Sequence, residues 1–147
     1  MKIQFTEAIP LPAREIYAYF QSPADWGRLY GFGGTVRDRG DGWFVVPLAR
    51  FPFPLVARIT TAEPERLVRW TFGGAWRGTG EVRLTPRPHD VLVEGYEEIH
   101  LRWLPGPAVL LETLFMERRF RRIWERGWRR LRRQAASAAP GPATGGA

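Results

Sequence analysis

Glu97 is the side chain whose place in the sequence most suggests chemistry. Residues 91–103 alternate between apolar and polar side chains, as a half-buried strand does, and Glu97 belongs to the more apolar set. A carboxyl group buried without a partner has a raised pKa, which suits a general acid or a hydrogen-bond donor to a ligand. We therefore take Glu97 as the candidate catalytic residue.

Two other arrangements of Glu97 are compatible with the same pattern. The carboxylate can pair with an arginine, either Arg58 or one in the basic segment near the carboxyl terminus. A bulge at Gly95 would instead exchange the two faces of the strand and expose Glu97. The sequence leaves these alternatives open.

Other chemistry has little support. His89 lies in a turn and His100 on the presumed outer face, and without cysteine they do not form a usual zinc site, so we predict no metal and no cofactor. Ser22 fits a helix cap and Ser137 lies near the end of the chain, which disfavours a serine triad. The glycines of 73–74 and 78–80 lack the lysine and hydroxyl residue of a phosphate loop, and we interpret them as turns or bulges.

The elements that must position Glu97 follow a simple order. Helical spacing and cap signals predict helices over 14–20, 22–29 and 109–135. Alternating or β-branched runs predict strands over 2–9, 35–39, 43–49, 55–61, 67–72, 78–85 and 91–103. Short joints between strands favour antiparallel pairing, so the fold class is α+β: a curved sheet of about seven strands wrapped around the last helix, with a cavity between them.

The helix over 109–135 carries the basic character of the chain. Residues 118–133 contain nine arginines and one glutamate, a local charge of +8 against a total of +7. The interpretation we weigh first is a solvated helix face, and the alternative is contact of Arg118–Arg133 with anionic lipid, nucleic acid or an acidic partner. An apolar stripe on the same helix faces the core; it contains Thr113, Met116, Phe120, Ile123, Trp124, Gly127 and Leu131.

Length and composition limit the remaining possibilities. The 147 residues fit one domain over 1–135 followed by a disordered tail over 136–147, which is rich in Ala, Pro and Gly. No basic amino-terminal region precedes an apolar run, and no apolar run is long enough to span a membrane. We therefore expect a soluble, cytoplasmic protein.

Three stretches resemble a known family. Residues 9–20, IPLPAREIYAYF, followed by SPADW at 22–26, are similar to the start of START-like domains of the SRPBCC superfamily, which includes polyketide cyclases and plant allergen-like ligand binders. Residues 63–70, EPERLVRW, resemble that superfamily's proline followed by a strand ending in tryptophan. With the long last helix, the resemblance covers about residues 2–135.

The resemblance implies a helix-grip fold with a hydrophobic cavity. Members include lipid and quinone carriers, aromatase/cyclases, hormone receptors and chaperone co-factors, and they share no catalytic motif. It thus implies binding or transport of a small hydrophobic ligand, of lipid, quinone or aromatic polyketide-like type. A cyclase or dehydratase using Glu97 as acid or base is the alternative, which needs a second inward polar group that the sequence does not identify.

The predicted cavity walls combine the inward faces of three strands with the helix stripe. The candidate ligand-binding residues are Val68, Trp70, Phe72, Val82, Leu84, Glu97, Ile99, Leu101, Met116, Phe120 and Trp124. As a set they favour a flat apolar ligand, although each alone also suits plain core packing. Trp26, Tyr30 and Trp76 lie near predicted loops and either guard the entrance or pack on the surface.

Overall fold

The architecture is a strand, two short helices, six strands and a long helix. The computed structural model describes residues 1–31, 35–48, 51, 53–103 and 106–139. The strands are β1 Lys2–Ile9, β2 Arg37–Gly40, β3 Trp43–Val46, β4 Leu55–Glu63, β5 Leu67–Gly73, β6 Trp76–Pro86 and β7 Val91–Leu101. The helices are α1 Ala13–Tyr17, α2 Pro23–Tyr30 and α3 Gly106–Ala138.

The strands of the described residues form a seven-stranded antiparallel sheet in the order β1-β7-β6-β5-β4-β3-β2. Five of the six pairings join consecutive strands as hairpins, and the sixth pairs the first strand, β1, with the last strand, β7. The buried side chains of the sheet face α3, so the core lies between the two layers. The α+β fold predicted from the sequence is confirmed.

Local signals fix where α2 begins and ends. The Ser22 side chain accepts a hydrogen bond from the backbone nitrogen of Ala24 at 3.2 Å, and Pro23 occupies the first helical position. Gly31 ends the helix at φ +68°, a conformation that glycine adopts without steric cost. Both ends of α2 are therefore where the sequence predicts them within one or two residues.

The inner face of α3 is more aromatic than the predicted stripe. Its buried side chains are Met116, Phe120, Trp124, Trp128, Leu131 and Ala135. Gly127 is buried as well, and a Cβ there would come within 2.8 Å of the Tyr30 ring, so the missing side chain lets α2 pack closely. Trp128, which is not part of the predicted stripe, is 3% exposed.

Four further details differ from the expectation. The last strand ends at Leu101, so Trp103 does not continue its inner face and is 75% exposed. Trp76 is fully buried and donates its indole N–H to the Pro54 carbonyl at 2.9 Å, so it guards no entrance. Gly78 and Gly80 lie inside β6 in continuous register with β7, so residues 78–80 belong to the predicted strand over 78–85 and form neither a turn nor a bulge. The helix continues to Ala138, beyond its predicted end, and 140–147 lie outside the described residues.

The length of α3 does not make it a membrane span. Its 33 residues include the arginines of the 118–133 segment. Within the ranges that the structure describes, no helix is both long enough and apolar enough to cross a bilayer.

Candidate functional site

Glu97 lies in the middle of a row of residues that crosses the sheet. Its neighbour on β1 is Ile3 and its neighbour on β6 is Gly80, which in turn pairs with Trp70 on β5. A Cβ on Gly80 would lie 2.2 Å from Cε2 of Trp70, so the indole lies flat over the glycine. The absence of a side chain at Gly80 thus allows Trp70 to extend along the row towards Glu97.

The Glu97 carboxyl group is bound by the long helix. The indole nitrogen of Trp124 donates a hydrogen bond to Oε2 of Glu97 at 2.5 Å, and Glu97 is 5% exposed. The register of β7 with both neighbours is continuous through Gly95, so no bulge exchanges the faces. Arg58 stacks on the Trp43 ring instead, 4.8 Å from its centroid, and no arginine of the described residues forms an ion pair with Glu97.

Burial changes the proton affinity of two groups at this site. Loss of solvation raises the pKa of Glu97 to about 7, although the hydrogen bond from Trp124 opposes that rise. Burial also raises the pKa of Tyr30 well above its ordinary value, and the nearby negative charge of Glu97 adds to the effect. At neutral pH, Tyr30 therefore keeps its proton and Glu97 exchanges readily between both forms.

The aromatic rings around Trp124 fill the space beside this hydrogen bond. The Trp124 ring stacks on Phe5 with centroids 4.4 Å apart and meets Tyr30 edge-on at 5.3 Å. Trp70 lies nearly parallel to it at 6.3 Å, and Trp26 meets Trp70 edge-on at 5.3 Å. Such contacts add about 0.5–1.5 kcal/mol each beyond the burial of area.

A small cavity remains between the sheet, α2 and α3. Its volume is about 20 Å³, which is room for about one water molecule. The walls are formed by Trp26, Tyr30, Leu48, Leu55, Trp70, Glu97, Phe120, Ile123 and Trp124. The cavity is mostly closed by its own aromatic side chains.

Two hydrogen-bond donors in the walls find no acceptor in the part of the chain that the structure describes. The indole N–H groups of Trp26 and Trp70 are both buried, and no acceptor within the described residues reaches either nitrogen. A buried polar group without a partner costs about 1–3 kcal/mol, so a folded core seldom keeps two of them side by side. The cavity therefore combines an apolar lining with unused hydrogen-bonding capacity.

The structure brings some of the predicted site residues together and separates others. Trp70, Glu97, Phe120 and Trp124 line the cavity. The remaining candidates lie in the core or at its edge outside this cavity: Val68, Phe72, Val82, Leu84, Ile99, Leu101 and Met116.

Tyr30 is the inward polar group that the sequence did not identify. It is 5% exposed and lines the cavity together with Trp26, whereas its position near a glycine-rich segment suggested only an entrance or surface role. The signal that could have placed it is the spacing of Trp26 and Tyr30, which puts both on one face of α2. Glu97 and Tyr30 together give the site one group that can gain or lose a proton and one that donates a hydrogen bond.

The raised pKa of Glu97 predicts a dependence of stability on pH. Between its ordinary value of 4.5 and about 7, the folded state holds more protons than the unfolded state, so the free energy of unfolding falls as pH rises and then levels off. Titration of Glu97 accounts for a fall of about 3 kcal/mol in the free energy of unfolding. We expect the Glu97→Gln variant to lack this fall when its free energy of unfolding is measured by urea denaturation from pH 5 to pH 8. Parallel curves for the two proteins would contradict the assigned pKa.

Comparisons with solved structures give the fold independently. A START superfamily protein from Mycobacterium smegmatis has a TM-score of 0.67 at 8% identity, over 90% of this chain and 98% of that one. A conserved protein from Geobacillus kaustophilus has a TM-score of 0.68 at 11% identity, over 94% of this chain and 97% of that one. A protein from Deinococcus radiodurans has a TM-score of 0.62 at 18% identity, over 93% of this chain and 98% of that one. At these identities the likeness shows the helix-grip fold alone.

Comparisons of sequence give the family. No curated protein matches the chain. Residues 1–136 match the family described as polyketide cyclase / dehydrase and lipid transport, which confirms the resemblance inferred from the opening segment. The match covers nearly the whole described fold, so this chain belongs to that family of hydrophobic ligand-binding domains.

Proposed function

We propose that the protein binds a small, flat hydrophobic molecule that carries at least one oxygen acceptor, in the cavity between the sheet and α3. The observation that carries the proposal is the pair of buried indole N–H groups of Trp26 and Trp70 in an aromatic wall. A ligand oxygen would restore their missing hydrogen bonds, and protonated Glu97 could donate another. The family description, which includes lipid transport, supports a hydrophobic ligand.

The size of the cavity decides how such a ligand enters. Pockets for small molecules usually measure about 300–1,000 Å³, far more than the space present between the rings. Binding therefore requires aromatic side chains to move, and Trp26 and Tyr30 on the short helix α2 are the ones we assign to this movement. A flat ring can replace a displaced indole or phenol ring, which favours quinones and aromatic polyketide-like molecules over acyl chains.

Catalysis of a cyclase or dehydratase type is the second candidate. The specific observation in its favour is that a carboxyl group with a pKa of about 7 lies near a buried, protonated tyrosine. Glu97 would move the proton and Tyr30 would polarise a ligand carbonyl, while the apolar walls exclude water. Binding needs neither step, so we rank it first.

The domain boundary at residue 135, the cytoplasmic location and an anionic contact of Arg118–Arg133 stay predictions. None of them is needed for binding in the cavity.

The role of the indole donors predicts a selective loss of affinity. We expect Trp70→Phe, which keeps a ring but loses the N–H, to bind 2-methyl-1,4-naphthoquinone about fivefold more weakly, because one neutral hydrogen bond contributes about 1 kcal/mol. Binding of 2-methylnaphthalene, which has the same rings without oxygen, should be nearly unchanged. Titration calorimetry on both ligands measures the difference.

The matched control for this measurement is Trp43→Phe. Trp43 stacks on Arg58 outside the cavity, so its loss should leave both affinities as they are. Equal weakening of quinone and hydrocarbon by Trp70→Phe would reject the hydrogen-bond role. If native mass spectrometry also found no bound molecule and neither compound bound the wild type, the proposal of a hydrophobic ligand would itself be wrong.

Turnover separates the two candidate functions. On any ligand that the protein converts, Glu97→Gln should reduce kcat by about 100-fold or more, the usual contribution of a general acid or base, with little change in binding. Tyr30→Phe should reduce it less, since it loses one hydrogen bond. Full activity of Glu97→Gln would exclude the proton-transfer mechanism and leave the binding function.

A further inference from the structure

The outer face of α3 begins with large apolar side chains that are mostly exposed to solvent. Leu110, Leu114 and Phe115 are 72%, 70% and 63% exposed, and Leu114 lies one turn after Leu110. Trp103, three residues before the helix, is 75% exposed. Single exposed apolar residues are ordinary, but three within six residues of one helix indicate a surface for interaction.

Arginines continue the same face towards the carboxyl end of the helix. They recur at three- and four-residue spacing as Arg118, Arg122, Arg126, Arg129 and Arg133, and all are exposed. The neighbouring Arg121 and Arg132 have partners, Glu117 and Glu7. Among the described residues, the five arginines of the outer face have no ion pair, so their charge is directed to solvent.

We propose that this face of α3 docks on an anionic lipid bilayer. The arginines would lie among the lipid phosphates while Leu110, Leu114 and Phe115 enter the boundary of the acyl chains, as in a helix that lies in the plane of the interface. Charge complementarity alone would equally fit a nucleic acid. A phosphate backbone, however, would leave the three apolar side chains in water, whereas a bilayer buries them.

The docking face is next to the cavity that the proposed function assigns to the ligand. The Arg119 guanidinium lies 4.5 Å from the centroid of the Phe115 ring and 5.3 Å from that of Phe51. The Phe51 ring is in turn 5.4 Å from Phe120, a residue of the cavity wall. Docking itself does not depend on a ligand, but it would bring this wall of the cavity close to the membrane, where a hydrophobic molecule could be collected or released.

Vesicle sedimentation tests the proposal with the full chain. We expect the wild type to bind vesicles of phosphatidylglycerol and phosphatidylcholine in equal parts, and to bind pure phosphatidylcholine at least tenfold more weakly. Leu114→Ser with Phe115→Ser, and separately Arg118→Gln with Arg122→Gln and Arg126→Gln, should each weaken binding at least tenfold. All these positions are exposed, so circular dichroism should show unchanged folding.

The matched control removes the same charge elsewhere. Arg37→Gln with Arg39→Gln and Arg77→Gln changes three exposed arginines of β2 and β6 and should bind as the wild type does. No binding of the wild type to the anionic vesicles, or equal weakening in this control, would overturn the proposal. Full binding by the variant with Leu114→Ser and Phe115→Ser would overturn it as well. Binding of the wild type to duplex DNA but not to vesicles would also overturn it and would assign the arginines to nucleic acid.

Discussion

The hydrogen bond between Trp124 and Glu97 is the interaction on which the arrangement of the site depends. It joins the inner face of α3 to the centre of the sheet and gives the most buried charged side chain of the described core its partner. A carboxyl group at 5% exposure would otherwise lack any compensation for lost solvation. Since one neutral donor does not stabilise the ionised form as an arginine would, the pKa stays near 7.

The aromatic packing follows from the same constraint. Trp124 must point its nitrogen at Glu97, so its ring faces are left to contact Phe5, Tyr30 and Trp70. Gly80 and Gly127 give the rings of Trp70 and Tyr30 room where a side chain would collide with them. The result is a core that is nearly closed yet retains unused donors, a combination that ordinary packing would not favour.

Much of the fold could be predicted because it rests on local periodicity. Alternation along β7 placed Glu97 on the inner face, and the three- and four-residue spacing of α3 identified Phe120 and Trp124. The opening segment gave the family. Each of these signals is carried by neighbouring residues in the chain, and the structure agrees with them.

The parts that the sequence could not give depend on how distant elements meet. Trp124 and Glu97 are 27 residues apart, and their bond requires the angle at which α3 crosses the sheet. The Tyr30 ring lies against Gly127 of α3, and no local pattern shows that these two residues meet. A glycine such as Gly80 is common in turns and at close contacts within strands. Its role became clear only from its neighbour across the sheet, Trp70. Trp128 shows that the buried stripe is wider than its spacing suggested.

The most direct test of this account is the titration of the Glu97 side chain, followed by ¹³C NMR of the labelled carboxyl carbon. We expect an apparent pKa of about 7 in the wild type. Trp124→Phe, which removes the hydrogen bond that lowers the pKa, should give a higher value. A carboxyl group that titrates near 4.5, or that does not respond to the loss of the Trp124 indole, would contradict the account.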